Sequence, residues 1–323
     1  MNAFVKHLFA SSALLLGCFC VVVGASSAYA AAPMAKTPAP GYFRIMLGAF
    51  EVTALSDGTV DLPVDKLLTA PETDTNKTLT QAFLKAPLET SVNAYLINTG
   101  SQLLLVDVGA GTLFGPTLGN LLKNLKASGY SPEQVDAVYI THFHGDHLGG
   151  LTLSDARAFP NASVYADKAE ADYWLSKANM DQAPEDKKGY FQGAMNAIAP
   201  YIAAKKFVPF NTKTPLSAGI KALPTYGHTA GHSSYLVESE GQKLILIGDL
   251  IHVGAVQFDH PEITIAFDSD QKAAAIARTT MFDEIAKDGI LIGAAHLQFP
   301  GLGHLKKLPT AYQWIPLNYT QMR

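Results

Sequence analysis

Apolar residues recur along this chain in two rhythms, strict alternation and helical spacing, with Gly, Pro, Asn and Asp between them. Tyr42 to Leu55 has strand character interrupted at Leu47-Gly48-Ala49, which fits a hairpin, and Ser56-Asp57-Gly58-Thr59 carries a turn signal. Pro71 to Lys77 reads as a loop and Leu79 to Lys85 as a short helix. Val92 to Asn98 and Gln102 to Val108 are strand-like runs. The second is apolar apart from Asp107, as in a strand covered on both faces. A helical stretch follows from about Pro116 to Ser128. Ser131-Pro132 has the form of a helix start, and Ala137 to Ile140 is a strand.

Beyond Gly150 the pattern predicts a short strand at Ser163-Val164-Tyr165 and a helix from Asp167 to Ala178. A charged surface loop from Asp181 to Lys188 and a helix from Phe191 to Ala204 come next. Strands are expected at Gly219–Leu223, Ser233–Glu238, Lys243–Ile247, Ile290–Ala294 and Tyr312–Leu317. Asp268 to Lys287 reads as the longest helix, capped by Asp268 or Ser269 and closed by Gly289. Both halves therefore run strands, helix, strands. That order predicts an α+β fold of two sheets packed face to face with helices outside, a four-layer αββα sandwich. The hairpins disfavour a doubly wound parallel sheet.

The first thirty residues stand apart. Lys6 precedes a nearly continuous apolar run from Leu8 to Val23, and Ala28-Tyr29-Ala30 has the small-x-small form of a cleavage site. This predicts a signal peptide over residues 1–30 and a protein that is exported, periplasmic or secreted. The run is short for a membrane-spanning helix, so no stable anchor is expected. The rest, about 290 residues, is long enough for one large domain over 31–323 with an extended Ala/Pro-rich arm at 31–41. Cys18 and Cys20 both lie in the leader, so the processed chain would have no thiol with which to bind metal. The net charge of −4 becomes one unit more negative when Lys6 is lost, which argues against nucleic acid as a partner.

Thr141-His142-Phe143-His144-Gly145-Asp146-His147-Leu148-Gly149-Gly150 places three histidines and an aspartate within six positions, after a strand and before a glycine pair. Imidazole nitrogen and carboxylate oxygen suit zinc and similar divalent ions. Later strands end in Gly227-His228-Thr229, Gly248-Asp249 and Ala295-His296, and Asp107 also ends a strand. A rigid sheet can aim each of these side chains.

This ordered set resembles the metallo-β-lactamase superfamily, and within it most nearly methyl parathion hydrolase and its lactone-hydrolysing relatives. Pro40-Gly41-Tyr42, the run Lys85 to Ser91, and His296-Leu297-x-Phe299-Pro300-Gly301 add to the likeness. The resemblance implies a first metal held by His142, His144 and His228, a second held by Asp146, His147 and His296, and Asp249 bridging them. Two such ions, about 3.5–4 Å apart, would share a water and lower its pKa towards ~7. Asp146 could also orient that nucleophile, so Asp146 and Asp249 carry the catalytic assignment. Asp107 and His232 are expected to hold ligands in place from behind. Trp174, Phe114, Tyr190 and His252 are the candidate substrate contacts, with Phe191 a further aromatic candidate. His260 and His304 read as solvated or structural.

The implied function is an exported hydrolase with two divalent metal ions, zinc the first choice, acting on small neutral lactones or aryl esters. Organophosphate triester hydrolysis is implied by the resemblance alone. A homodimer is suggested by the same relatives. Alternatives are a β-lactamase, disfavoured by the bridging Asp249 and the missing cysteine ligand, and a non-catalytic metal-binding or sensory protein. A glyoxalase-II-type thioesterase conflicts with export, and a nuclease with the acidic charge.

Overall fold

The computed structural model describes residues 32–211 and 213–321. The expected signal peptide lies outside the described residues. The chain divides at Pro38. Before that point, residues 32–38 are exposed and carry no regular secondary structure. Ala39–Arg323 form the second unit, which holds all the elements below. Among the described residues no helix is long and apolar enough to cross a membrane.

The strands of the first half are β1 (Tyr42–Leu47), β2 (Phe50–Leu62), β3 (Leu88–Asn98), β4 (Leu103–Val106), β5 (Ala137–Tyr139), β6 (Thr152–Leu153), β7 (Ala156–Arg157), β8 (Ser163–Asp167) and β9 (Phe207–Phe210). Those of the second are β10 (Ile220–Pro224), β11 (Ser233–Ser239), β12 (Gln242–Leu246), β13 (Leu291–Gly293), β14 (Leu302–Lys307) and β15 (Tyr312–Pro316). The helices are α1 (Val64–Leu67), α2 (Glu72–Gln81), α3 (Leu121–Ala127), α4 (Gly145–Leu148), α5 (Lys168–Trp174), α6 (Lys177–Gln182), α7 (Glu185–Ala203), α8 (Gly254–Gln257) and α9 (Gln271–Asp288).

Two sheets dominate. One has the order β1-β2-β3-β4-β5-β8-β9 and the other β10-β11-β12-β13-β14-β15, with β6 and β7 forming a small ladder of their own. The first sheet is antiparallel from β1 to β4 and parallel from β4 to β9. A doubly wound parallel sheet is thereby excluded. Alternation along the central strands explains the layers, because successive side chains point to opposite faces. On β4, Leu104 and Val106 pack with Leu244 and Leu246 of β12, between the sheets. Leu103 and Leu105 face the other way, onto Leu121 and Leu125 of α3 and Phe191 and Ile198 of α7. On β12, Ile245 turns from the sheet interface towards Met281, Phe282 and Ile285 of α9. The result is the expected helix–sheet–sheet–helix stack.

Several local expectations fail. Ser56 to Thr59 is not a turn: β2 runs through it, with a register shift between Ser56 and Gly58 that takes up the turn-like residues as a bulge. Asp57 is buried there, and its carboxylate accepts the N–H groups of Ala110, Gly119 and Leu121, each at 2.9 Å. Burial pushes this carboxyl up, against the pull of the three donors. Helix Glu72–Gln81 takes in most of the loop expected over Pro71 to Lys77, beginning directly after Pro71, and ends at Gln81, short of the Lys85 expected. The single helix over Asp167 to Ala178 is two, α5 and α6, each with its own cap, Asp167 and Ser176. Helix α7 starts at Glu185, inside the expected surface loop, and at 19 residues it exceeds the 18 of α9. The cap of α9 is Asp270, not Asp268 or Ser269; its carboxylate accepts the N–H of Ala273.

Replacing Asp57 by Ala would strand three buried N–H groups at once. The expected loss is about 3 kcal/mol, since hydrogen bonds to a charged group contribute ~1.5–3 kcal/mol each and part is recovered by local relaxation. Denaturant unfolding should show a lower midpoint with an unchanged slope. A midpoint equal to that of the parent protein would contradict this account of β2.

Candidate metal centre

The histidine stretch starts where β5 ends. After Tyr139 the chain leaves the sheet, passes His142 and His144, and coils into α4, which carries Asp146 and His147. His228 lies in the loop between β10 and β11. Asp249 sits in a single 3-10 turn after β12, and His296 follows β13. Separate strands from both sheets thus deliver side chains to one place. His142, His147, His228, Asp249 and His296 are buried, while His144 and Asp146 are partly open.

Asp249 is at the centre. Its Oδ2 lies 3.2 Å from His228 Nε2 and 3.5 Å from His142 Nε2. Its Oδ1 lies 3.1 Å from His147 Nε2 and 3.2 Å from His296 Nε2. His228 Nε2 also faces His142 Nε2 at 3.2 Å and His144 Nδ1 at 3.1 Å. Asp146 Oδ2 completes the second group, 3.5 Å from His296 Nε2 and 3.6 Å from His147 Nε2. Two constellations result, His142-His144-His228-Asp249 and Asp146-His147-His296, each with its ligand atoms within 4.8 Å of one another.

The outer edges of the rings explain why the inner nitrogens point as they do. His147 Nδ1 is 2.8 Å from Asp107 Oδ2, and Asp107 also accepts the N–H and the hydroxyl of Thr141 at 2.8 Å. His228 Nδ1 is 2.8 Å from Asp268 Oδ1. His296 Nδ1 donates to the carbonyl of Ser91 at 2.9 Å. Each outer nitrogen thus has an acceptor, leaving Nε2 with its lone pair directed inward. His232 works from behind Asp249: its Nε2 accepts the Asp249 backbone N–H at 3.0 Å, and Nδ1 meets Thr225 Oγ1 at 2.8 Å.

These groups fit divalent cations. His147 Nε2 and Asp249 Oδ1 are fully buried without a hydrogen-bond partner, an arrangement that is costly unless a cation takes up the lone pairs. The protein alone can relieve the crowding only by moving protons. Burial opposes charge on His147 and His228, yet Asp249 with Asp146 and Asp107 holds His147 well above the usual imidazole range, and Asp249 with Asp268 pushes His228 up to about 9. Burial and the neighbouring imidazoles drive His142 and His144 well down. Burial, with His228 beside it, takes His232 down to about 3, which suits its part as a neutral acceptor. Burial opposes ionisation of Asp249, but the surrounding histidines hold it well below the usual carboxylate range.

A cavity of about 530 Å³ opens over the centre. Phe114, Trp174, Tyr190, Phe191 and His252 all line it, together with Val60, Leu62 and Phe267. Trp174 lies edge-on to His144 at 5.6 Å between ring centroids, and Tyr190 is at 6.0 Å. His252 Nε2 reaches Asp249 Oδ2 at 3.0 Å, and its ring stacks on His296. His260 and His304 stand outside. His260 is exposed beside Glu262, and His304 is paired with the carbonyl of Gly289. Sequence reasoning missed Asp268, offered there only as a helix cap, and the buried Arg278, whose guanidinium donates to the carbonyls of Leu250, Pro261 and Ile263 and lies 3.8 Å from Asp268 Oδ2. No spacing rule links either residue to the histidines; only the folded loop does.

Known proteins with this organisation bear on the family. The crystal structure of hydrolase AbOPH in the beta lactamase superfamily superposes with a TM-score of 0.85 at 38% identity, covering 88% of this chain and 100% of that one. AidC, a dizinc quorum-quenching lactonase in complex with a product, gives a TM-score of 0.81 at 26% identity over 87% and 99% of the two chains. An N-acyl homoserine lactonase from Bacillus sp is 28% identical over 222 residues, which cover 63% of this chain and 79% of the relative. The chain spans less than half the length of some curated relatives it matches, such as ribonuclease Z from Pyrococcus furiosus at 28% identity over 43% of each chain. The family model for the metallo-beta-lactamase superfamily matches residues 88–289, the span that holds β3 through α9 and every member of the two constellations except His296. With that match covering most of the sheet framework that aims the ligands, the chain belongs to the metallo-beta-lactamase superfamily.

Proposed function

We propose that this protein is a metal-dependent hydrolase of small uncharged lactones and aryl esters, with organophosphate triesters as a further substrate class. The proposal includes two divalent ions, zinc as the first choice, and export of the processed chain. The observation that carries it is Asp249, whose two carboxylate oxygens each face a different histidine group at the floor of an apolar-walled cavity. Likeness to AidC and to the Bacillus lactonase supports the carbonyl substrates. The leader-like residues 1–30 support export.

His142, His144 and His228 would hold one ion, Asp146, His147 and His296 the other, and Asp249 both. Such ions supply Lewis-acid polarisation of a carbonyl or phosphoryl oxygen and bring the acidity of water into the neutral range. The protein's share is orientation. Asp107 and Asp268 fix the tautomers of His147 and His228, and His232 fixes the backbone of Asp249. The carboxylate of Asp146 faces the cavity and can direct the proton of an attacking water. Phe114, Trp174, Tyr190 and Phe191 give an acyl or aryl group a dry wall to pack on. Among the described residues lining the cavity Lys187 is the one lysine or arginine, beside three aspartates, so the pocket offers little to an anionic substrate. His252, which also lines the cavity, adds a polar group that suits a lactone or ester oxygen.

Turnover of a chromogenic lactone or aryl ester should vanish on chelation and return with zinc, manganese or cobalt. Metal-loaded protein that is inert towards lactones, aryl esters and phosphotriesters would end the proposal. His144→Ala should leave a folded protein with turnover down at least about 100-fold, because even loss of a ligand's outer partner costs about 10–100-fold. Normal turnover at full metal content would remove His144 from the centre. His304→Ala, by contrast, should stay within about twofold of the parent enzyme, as a surface change does. Finally, ion uptake by metal-depleted protein should release protons near pH 7, because His228, pushed up to about 9, must give up its proton to bind. Affinity should therefore weaken as pH is lowered from 8 to 5. Calorimetry in two buffers of different ionisation enthalpy measures the release, and a pH-independent affinity would contradict it.

A further inference from the structure

The two loops that carry the first histidine group share a partner that the chemistry above leaves unused. Glu170, in the first turn of α5, is 1% exposed. Its Oε1 accepts the N–H of Phe143 at 2.7 Å, and its Oε2 accepts the N–H of Gly231 at 2.7 Å. Phe143 stands between His142 and His144, and Gly231 comes three residues after His228. One buried carboxylate therefore spans the gap between the loops. The approach is close: a Cβ on Gly231 would lie 2.2 Å from the backbone nitrogen of Glu170. A second tie joins the same elements, the Tyr226 hydroxyl donating at 3.0 Å to Asp167, the cap of α5. On the strand side of these loops the Ser233 N–H donates to the Thr141 carbonyl at 2.9 Å.

A buried carboxylate is costly unless donors satisfy it. Both donors here are backbone groups of the loops that carry His142, His144 and His228; packing α5 against the sheet would require no charge at this point. We propose that Glu170 is a positioning residue that sets the separation between the His142/His144 loop and the His228 loop, so that the three rings converge on one divalent ion. This rests on the metal-dependent reading of the centre. Glu170 itself touches none of the ring nitrogens in that group and acts through the loop backbones.

The test is zinc affinity of the metal-depleted full chain, measured by competition with a chromogenic chelator, with cobalt(II) d–d absorption as a signature of ligand geometry. Glu170→Gln keeps the size but turns one acceptor into an N–H₂ that meets an N–H donor. It should bind zinc about 10–100-fold more weakly than the parent and change the cobalt spectrum. Asp172→Asn, which removes an exposed pair with Lys168 on the same helix, should stay within about twofold. Parent-like zinc affinity and cobalt spectrum in Glu170→Gln, even with a lower melting temperature, would overturn the inference and leave the residue a structural one. If Glu170→Gln does not fold, Gly231→Ala strains the same contact from the other loop: weakened zinc binding supports the inference and unchanged binding overturns it. Parent protein that binds neither zinc nor cobalt would bring down the proposed function and this inference with it.

Discussion

The constraint on which this structure turns is the accumulation of imidazole and carboxylate in one water-poor space. Six histidines, counting His252, and Asp146 gather around Asp249 in overlapping groups whose ligand atoms lie within 4.8 Å of one another. Without cations their lone pairs face each other, and protons are the only relief the chain has of its own. Cations turn the same crowding into attraction, because Asp249 can serve both groups through separate oxygens. The centre is thus a stability problem in the bare protein and a binding site in the loaded one, which is the usual coupling of metal uptake to folding.

Such crowding needs a stiff frame. Each candidate ligand sits in a loop or short helix that follows a strand, and the strands are gripped from both faces by apolar contacts, between the sheets and under the outer helices. Loops at the strand ends are held by buried polar groups in addition to apolar anchors such as Phe143, Leu250 and Leu297. Asp57 gathers the 110–121 segment, Asp107 fixes His147, Asp268 with Arg278 fixes His228, and Glu170 spans two ligand loops. Each is a carboxylate that accepts from backbone or imidazole N–H groups, Asp107 taking the Thr141 hydroxyl as well. The pattern suits its task, since one charged acceptor can hold several N–H groups of a loop at once.

The wall of the cavity comes from other elements. Helices α5, α6 and α7 contribute Trp174, Asn179, Tyr190 and Phe191, while the metal-binding groups belong to the strand ends. Under the proposed function, chemistry and substrate selection would be carried by separate parts of the fold, and the wall could vary while the floor stays as it is.

Much of this was readable along the chain. The His-x-His-x-Asp-His stretch, the Gly-His-Thr loop, Asp249 and His296 stand out because metal chemistry demands particular side chains at strand ends, and both signals are local. The continuous apolar run of β4 likewise specified a strand covered on both faces, and the order strands, helix, strands in each half specified the layered stack. What was not readable depends on partners far away in the chain. Asp57 looks like a turn residue until the loops around residues 110 and 120 close over it, and Asp268 looks like a helix cap until His228 reaches it. Glu170 carries no mark at all. A short polar side chain has the same local preferences whether it caps a helix or braces a metal ligand, so the types and order of the ligands, with Asp107 and His232 behind them, were determined by sequence, and the identity of the other groups that hold them was decided by tertiary contact.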